Sequence, residues 1–201
     1  MKKIRRQFYE RQPIKVANDL LGKYIVHINN EGKTTGKIVE TEAYTGVNDP
    51  ASHTYKGRCT ERTKLLFGPA GYVYVYLIYG MYLCLNIVVG EKNMPGSVFI
   101  RAIEPIEGSE IMKKRRRSNG LTGKNLLNLT NGPGKLCEAM GITRDLYGED
   151  ICGDKIFILE GEKINSDMIT ATARVNIDYA GEAKQYPWRF IIKDSKFLSK
   201  V

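Results

Sequence analysis

The sequence predicts an α+β fold: a single domain over residues 1–201, with a curved, largely antiparallel sheet, short flanking helices and a protruding β-hairpin. Three observations predict it. Strand and helix patterns do not alternate regularly along the chain, which disfavours a doubly wound parallel sheet. No repeat, low-complexity tract or Pro/Ser-rich linker divides the sequence. At 201 residues the chain suits one domain, long enough to bury roughly 70% of the surface its unfolded form exposes.

Taken in order, Pro13 followed by Ile14, Val16, Ala17, Leu20 and Leu21 predicts a short helix closed by Gly22. Tyr24–Ile28 and Thr35–Tyr44 predict strands joined by an Asn29–Gly32 turn. Thr60 is placed to cap a helix running to Phe67, where Gly68-Pro69 stops it. Tyr72, Tyr74 and Tyr76 alternate with Val73, Val75 and Leu77, a period of two and so a strand; Tyr82–Val89 is a second. Ser97–Ala102 reads as a buried strand, Glu110–Arg117 as a basic helix and Gly134–Met140 as a helix ended by Gly141. Strands near Lys155–Glu160, Ile169–Ile177 and Trp188–Lys193 complete the pattern.

Composition excludes whole classes. With 42% hydrophobic and 26% charged residues, the chain is neither disordered, collagenous nor a disulfide scaffold. A net charge of +9 favours a polyanionic partner. Cys59, Cys84, Cys137 and Cys152 form no CxxC pair, which argues against structural zinc and for a reduced, cytoplasmic protein. Residues 1–12 carry charge but no apolar core, so no secretion signal is expected. Tyr72–Val89 is uncharged over 18 residues, but its five tyrosines, Gly80 and Asn86 speak against a membrane span.

Two regions carry chemistry. The first is the hairpin, whose natural turn is Tyr79-Gly80. Tight hairpin turns favour Asn-Gly or Asp-Gly because both central residues want positive φ. A tyrosine there, between Ile78 and Met81, puts apolar bulk at a tip. Either the tip packs under a loop, or it is a wedge that enters a groove and parts stacked bases. Tyr74 and Tyr76 would then offer a stacking surface. The second region is the strand ending at Tyr44. Period two puts Ile38, Glu40, Glu42 and Tyr44 on one face, with Val39, Thr41 and Ala43 on the other. The glutamates are either solvated edge-strand residues or part of a site with His53, which follows in a loop rich in turn-formers. Were Glu42 to line a pocket with Tyr44, His53 and Tyr76, it could act as a general base on water beside an aromatic slot. His27, in an apolar strand, reads as a packed core histidine.

The motifs form an ordered set: Glu40–Tyr44, Asp49 with His53, Gly57-Arg58 with Thr60 and Arg62, Pro69–Gly71, Tyr74–Asn86, Arg101-Ala102 with Glu104-Pro105, Asn131–Leu136 and Ala173–Val175. Together they resemble the alkyladenine (3-methyladenine) DNA glycosylase family, compact bacterial type, over about Tyr9 to Phe190. The resemblance implies a monofunctional base-excision enzyme that flips alkylated or deaminated purines (3-methyladenine, 7-methylguanine, hypoxanthine, ethenoadenine) from duplex DNA and hydrolyses the N-glycosidic bond. By position it makes Glu42 the catalytic base. Tyr44, His53, Tyr76, Asn86 and Arg101 fall on base-pocket positions, with Asn86 disfavouring a guanine 2-amino group. Tyr79 falls on the intercalating position, and Arg58, Thr60, Arg62, Met81, Tyr82 and Lys135 on DNA-backbone contacts. No metal, no cofactor and no lysine Schiff base are implied, and a monomer suffices. Thr63 and the Ser118–Thr130 loop depart from the family pattern.

Lys113–Arg117 is the densest charge run, readable as a solvated helix face or as a source of non-specific DNA affinity. Two other functions compete. One is a non-catalytic nucleic-acid-binding module with an aromatic stacking surface. The other is a sugar hydrolase using Glu40 and Glu42, since strand residues two apart lie about 6.6–6.8 Å apart.

Overall fold

The computed structural model describes residues 1–117 and 123–199, with 123–125 described by backbone alone. Residues 118–122 of the Ser118–Thr130 loop therefore lie outside the described residues. The elements are α1 (Pro13–Asp19), β1 (Tyr24–Asn29), β2 (Gly32–Tyr44), β3 (Val73–Ile78), β4 (Tyr82–Val88), β5 (Ser97–Glu107), α2 (Ser109–Arg115), α3 (Pro133–Met140), β6 (Ile156–Leu159), β7 (Ile169–Thr172) and β8 (Arg189–Ile192), with short 3-10 turns between them. The fold is α+β, and every strand pairing is antiparallel.

The sheet runs β3-β4-β5-β2-β1-β6, and the β7–β8 pair attaches to β2. β2 is 13 residues long, so it borders β5 along one side and, in succession, β1 and β8 along the other. Glu40 and Glu42 thus stand on an interior strand, not at an edge. Two register shifts in the β2–β5 ladder bear on the site. Ile38 pairs with Ile103 and Glu40 with Ala102, which leaves Val39 as an extra residue on β2; Thr41 then pairs with Ile100, which leaves Arg101 extra on β5. Such bulges bend a strand and re-aim its side chains. The first one corrects the simple alternation: Ile38 joins the main core together with Ala43, five positions away. Thr41 points to α1, where its Oγ1 donates to the Ala17 carbonyl at 2.8 Å. Glu40 and Glu42 take the other side.

α1 opens with Pro13 at its first turn and buries Val16 and Ala17 against that core. α3 also opens on a proline and ends at Gly141, whose φ of +68° would strain any other residue there. Ile25, Leu85, Ile100, Ile103 and Leu136 fill the space between helices and sheet. His27 is buried there, its Nδ1 2.8 Å from the Met140 carbonyl.

Several expected boundaries move: β2 starts earlier, at Gly32, and β5 runs on to Glu107. The helix from Thr60 to Phe67 is only a 3-10 turn, Lys64–Phe67. Thr60 and Thr63 exchange hydrogen bonds between backbone N–H and Oγ1 (2.8 and 3.3 Å), which closes the preceding turn instead of capping a longer helix. β7 stops at Thr172, releasing Arg174 and Val175 toward β2. α2 ends at Arg115, two residues before the basic run does. Among the described residues no helix is long and apolar enough to cross a membrane.

Candidate active site

The site is built outward from the end of β2. Glu42 is fully buried. Its Oε1 accepts the Val175 backbone N–H at 2.7 Å and lies 3.4 Å from Arg101 Nη1, and its Oε2 accepts the Tyr44 hydroxyl at 2.9 Å. Burial pushes the carboxyl above its ordinary pKa; Arg101, the Val175 N–H and the Tyr44 hydroxyl oppose that push, while Glu40 adds to it.

After Tyr44 the chain turns into the loop that carries His53. Asp49 holds this loop, accepting the backbone N–H of Thr45 and of Ala51. It also makes a bidentate pair with Arg174 at 2.6 and 2.8 Å, both side chains fully buried. Arg174 donates in addition to the Ala43 carbonyl, and its guanidinium lies 4.7 Å from the Tyr44 ring centre. One ion pair thereby fixes the His53 loop, the ring of Tyr44 and the segment whose Val175 N–H meets Glu42.

Tyr44, His53, Tyr76 and Asn86 line one cleft of about 340 Å³, including the part open to solvent, and Tyr74 and Tyr179 complete its aromatic wall. His53 Nδ1 sits 2.9 Å from the Tyr74 hydroxyl, and its ring packs edge-on to Tyr76 at 4.6 Å. Burial lowers its pKa to about 4, with help from Arg62 and Arg58, so His53 is neutral at pH 7. Tyr74 is buried, giving its ring to packing rather than to a free stacking surface. Asn86 is buried too, and its Nδ2 has no hydrogen-bond partner. Such a donor is costly unless an acceptor arrives.

Two expectations need correction. Glu42 does not line the cleft: it stands behind Tyr44, because β2 is interior there and the segment after β7, with Val175, covers it. Arg101 does not line it either. As the bulged residue of β5 it turns to the glutamates, its Nε 2.8 Å from Glu40 Oε1.

The remaining residues lie around the mouth. The hairpin turn falls at Tyr79-Gly80, with φ of +50° and +70°, the left-handed pair a tight hairpin needs. Tyr79 is 75% exposed and Met81 67%; the tip does not pack under a loop. Tyr179, on the cleft wall, is within electrostatic reach of Tyr79. Tyr82 lies across the start of α3, where a Cβ on Gly134 would meet its ring at 2.8 Å. That close approach brings the hairpin beside Lys135, whose Nζ donates to Asn131 Oδ1. Arg58, Thr60 and Arg62 are exposed, and Arg58 and Arg62 lie within electrostatic reach of His53. Among the described residues no cluster of three or more His, Cys, Asp or Glu is arranged to hold a metal ion.

Sequence reasoning missed the Val175 N–H, which no side chain announces. Asp49 and Arg174 stand out in the sequence only as motif residues, and Tyr179, Arg189 and Ser199 carry no local signal.

A fully buried carboxylate behind an aromatic cleft, with an exposed aromatic hairpin on a chain of net charge +9, is an arrangement suited to a polyanionic partner. The family described as methylpurine-DNA glycosylase matches residues 7–196. A protein of Clostridium novyi is 53% identical over 203 residues, covering all of both chains. One of Clostridium acetobutylicum is 52% identical over 200 residues (98% of this chain, 97% of the relative), and one of Alkaliphilus oremlandii is 49% identical over 201 residues (98% and 99%). Each bears the name "Putative 3-methyladenine DNA glycosylase". The chain belongs to the methylpurine-DNA glycosylase family. It is a DNA glycosylase, a hydrolase acting on N-glycosyl bonds.

Proposed function

We propose that this enzyme, acting as a monomer, removes alkylated or deaminated purines (3-methyladenine, 7-methylguanine, hypoxanthine and ethenoadenine) from duplex DNA. The damaged nucleotide turns out of the helix into the cleft of Tyr44, His53 and Tyr76. Extrusion costs a few kcal/mol, least for a damaged base, and Tyr79 occupies the gap it leaves. Arg58, Thr60, Arg62, Met81, Tyr82 and Lys135 hold the flanking backbone. A cationic alkylated purine stacks favourably between electron-rich rings. Asn86 Nδ2 donates to an acceptor on the base edge, and the same donor opposes the 2-amino group of guanine.

Glu42 is the general base. A carboxylate offers about four lone-pair positions; the Val175 N–H takes one on Oε1 and the Tyr44 hydroxyl one on Oε2, leaving a position on Oε2 for a water. That water attacks the sugar carbon, its proton passes to Glu42, the N-glycosidic bond breaks and its electron pair leaves with the purine. The ionised carboxylate also stabilises the oxocarbenium-like sugar. His53, neutral at pH 7, orients the base. The observation that carries this reading is the full burial of Glu42, held by a backbone N–H and by the hydroxyl of a cleft tyrosine.

The test is release from a duplex containing one hypoxanthine or ethenoadenine, scored as abasic sites in single turnover. Glu42→Gln should bind the lesion duplex and slow release by at least about 10²-fold. Unchanged release in that variant would remove Glu42 from its role. A binding module without activity would release no base from any substrate.

A further inference from the structure

Glu40 lies outside the cleft, is fully buried, and accepts four hydrogen bonds. Arg101 Nε and Arg189 Nε each donate to Oε1 at 2.8 Å, and the Ser199 hydroxyl does so at 2.7 Å. The Ser199 backbone N–H donates to Oε2 at 2.7 Å. Arg101 Nη2 in turn donates to Ser199 Oγ at 3.1 Å. The guanidinium of Arg101 is a rigid planar fork, and two of its nitrogens are pinned. The third, Nη1, is the one 3.4 Å from Glu42 Oε1.

We infer that Glu40, anchored by Arg189 and Ser199, is a positioning residue whose task is to hold Arg101 against the catalytic carboxylate. The inference rests on the reading of Glu42 as the base. Geometry and charge agree on it. One arginine between two buried carboxylates would leave an excess negative charge, and Arg189 brings the count to two and two. Without Arg189, Glu40 draws Arg101 to itself and repels Glu42 uncompensated. The charged groups facing Glu42 are Arg101 from β5, Arg174 from the segment after β7, and Glu40 from its own strand. Tyr44 and Tyr76 are pushed well above their ordinary range by burial, Cys84 is raised to about 11, and Tyr179 is raised as well. All four are protonated below pH 8. The acid limb of the reaction therefore reports Glu42 and, near pH 4, His53, whose own neighbours Arg58 and Arg62 are untouched by these variants.

The experiment is the pH dependence of single-turnover release from a hypoxanthine duplex by Arg189→Met, Arg189→Lys and Ser199→Ala, with lesion affinity measured alongside. Release needs ionised Glu42, so a weaker hold by Arg101 moves the acid limb to higher pH. Arg189→Met should move it up by about one pH unit, Ser199→Ala by less, and Arg189→Lys should restore most of it. Lesion affinity should stay put. A rate that falls by the same factor at every pH, with the limb unmoved, overturns the inference. If Arg189→Met does not fold, Ser199→Ala decides alone: an upward shift supports the inference and an unmoved limb overturns it. Full activity of Glu42→Gln would instead sink the base reading beneath it.

Discussion

Two regions of this molecule are dense in charge, and they behave in opposite ways. Lys113–Arg117 is five cations in a row on and just past α2. It is stitched to local acids: Lys113 to Glu110, Arg115 to Glu31, and Arg116 to Glu138. Arg115 also donates to Asn29 and to the Ala139 carbonyl, tying α2 to the β1–β2 turn and to α3. Much of that run is fastening rather than DNA-seeking charge. The other region, Glu40, Glu42, Asp49, Arg101, Arg174 and Arg189, is scattered over the sequence and buried in one place. Density along the chain marks a surface where water and nearby acids answer each charge. Convergence in space marks a site, because a buried charge persists only when specific partners meet it.

The contrast can be broken by experiment. Arg174→Met should have the largest effect on stability, leaving Asp49 buried without its partner at a cost of about 3–5 kcal/mol. Chemical denaturation measures it, and a loss below about 1 kcal/mol would mean that the buried pair is no more important than a surface one. His53 comes next. Unfolded, it takes up a proton near pH 6.5, whereas in the fold it stays neutral until about pH 4. The unfolded state binds more protons across that window, so stability falls as pH drops from 6.5 to 4. At about 1.4 kcal/mol per pKa unit the ceiling is about 3 kcal/mol. His27 is lowered by burial too, so the quantity to read is the difference between wild type and His53→Gln, which should narrow over that window; parallel curves would contradict the assignment. Lys113→Ala should do least, a few tenths of a kcal/mol, since Glu110 is largely exposed. The salt dependence of DNA binding should barely change. A slope reduced by about one would restore the run as a phosphate contact.

The strands, the hairpin and its Tyr79-Gly80 turn were legible because period-two alternation and turn chemistry are local. So were the aromatic composition of the cleft and the ordered motifs of the family. The face of Ile38 on β2 was not: alternation assumes an unbroken ladder, and the extra residue Val39 breaks it. Nor could strand periodicity tell that the segment after Thr172 leaves the sheet, since its apolar residues continue the same pattern.

The sequence by itself determined most element types and the family, and singled out Glu42 as the candidate acid, because each rests on neighbours along the chain. Tertiary structure decided what surrounds that acid. Glu40 meets Arg101 across 61 positions and Ser199 across 159, and Glu42 meets the Val175 N–H across 133. Which charges lose their water, and which donors replace it, depends on strand order and on two bulges, and neither has a period.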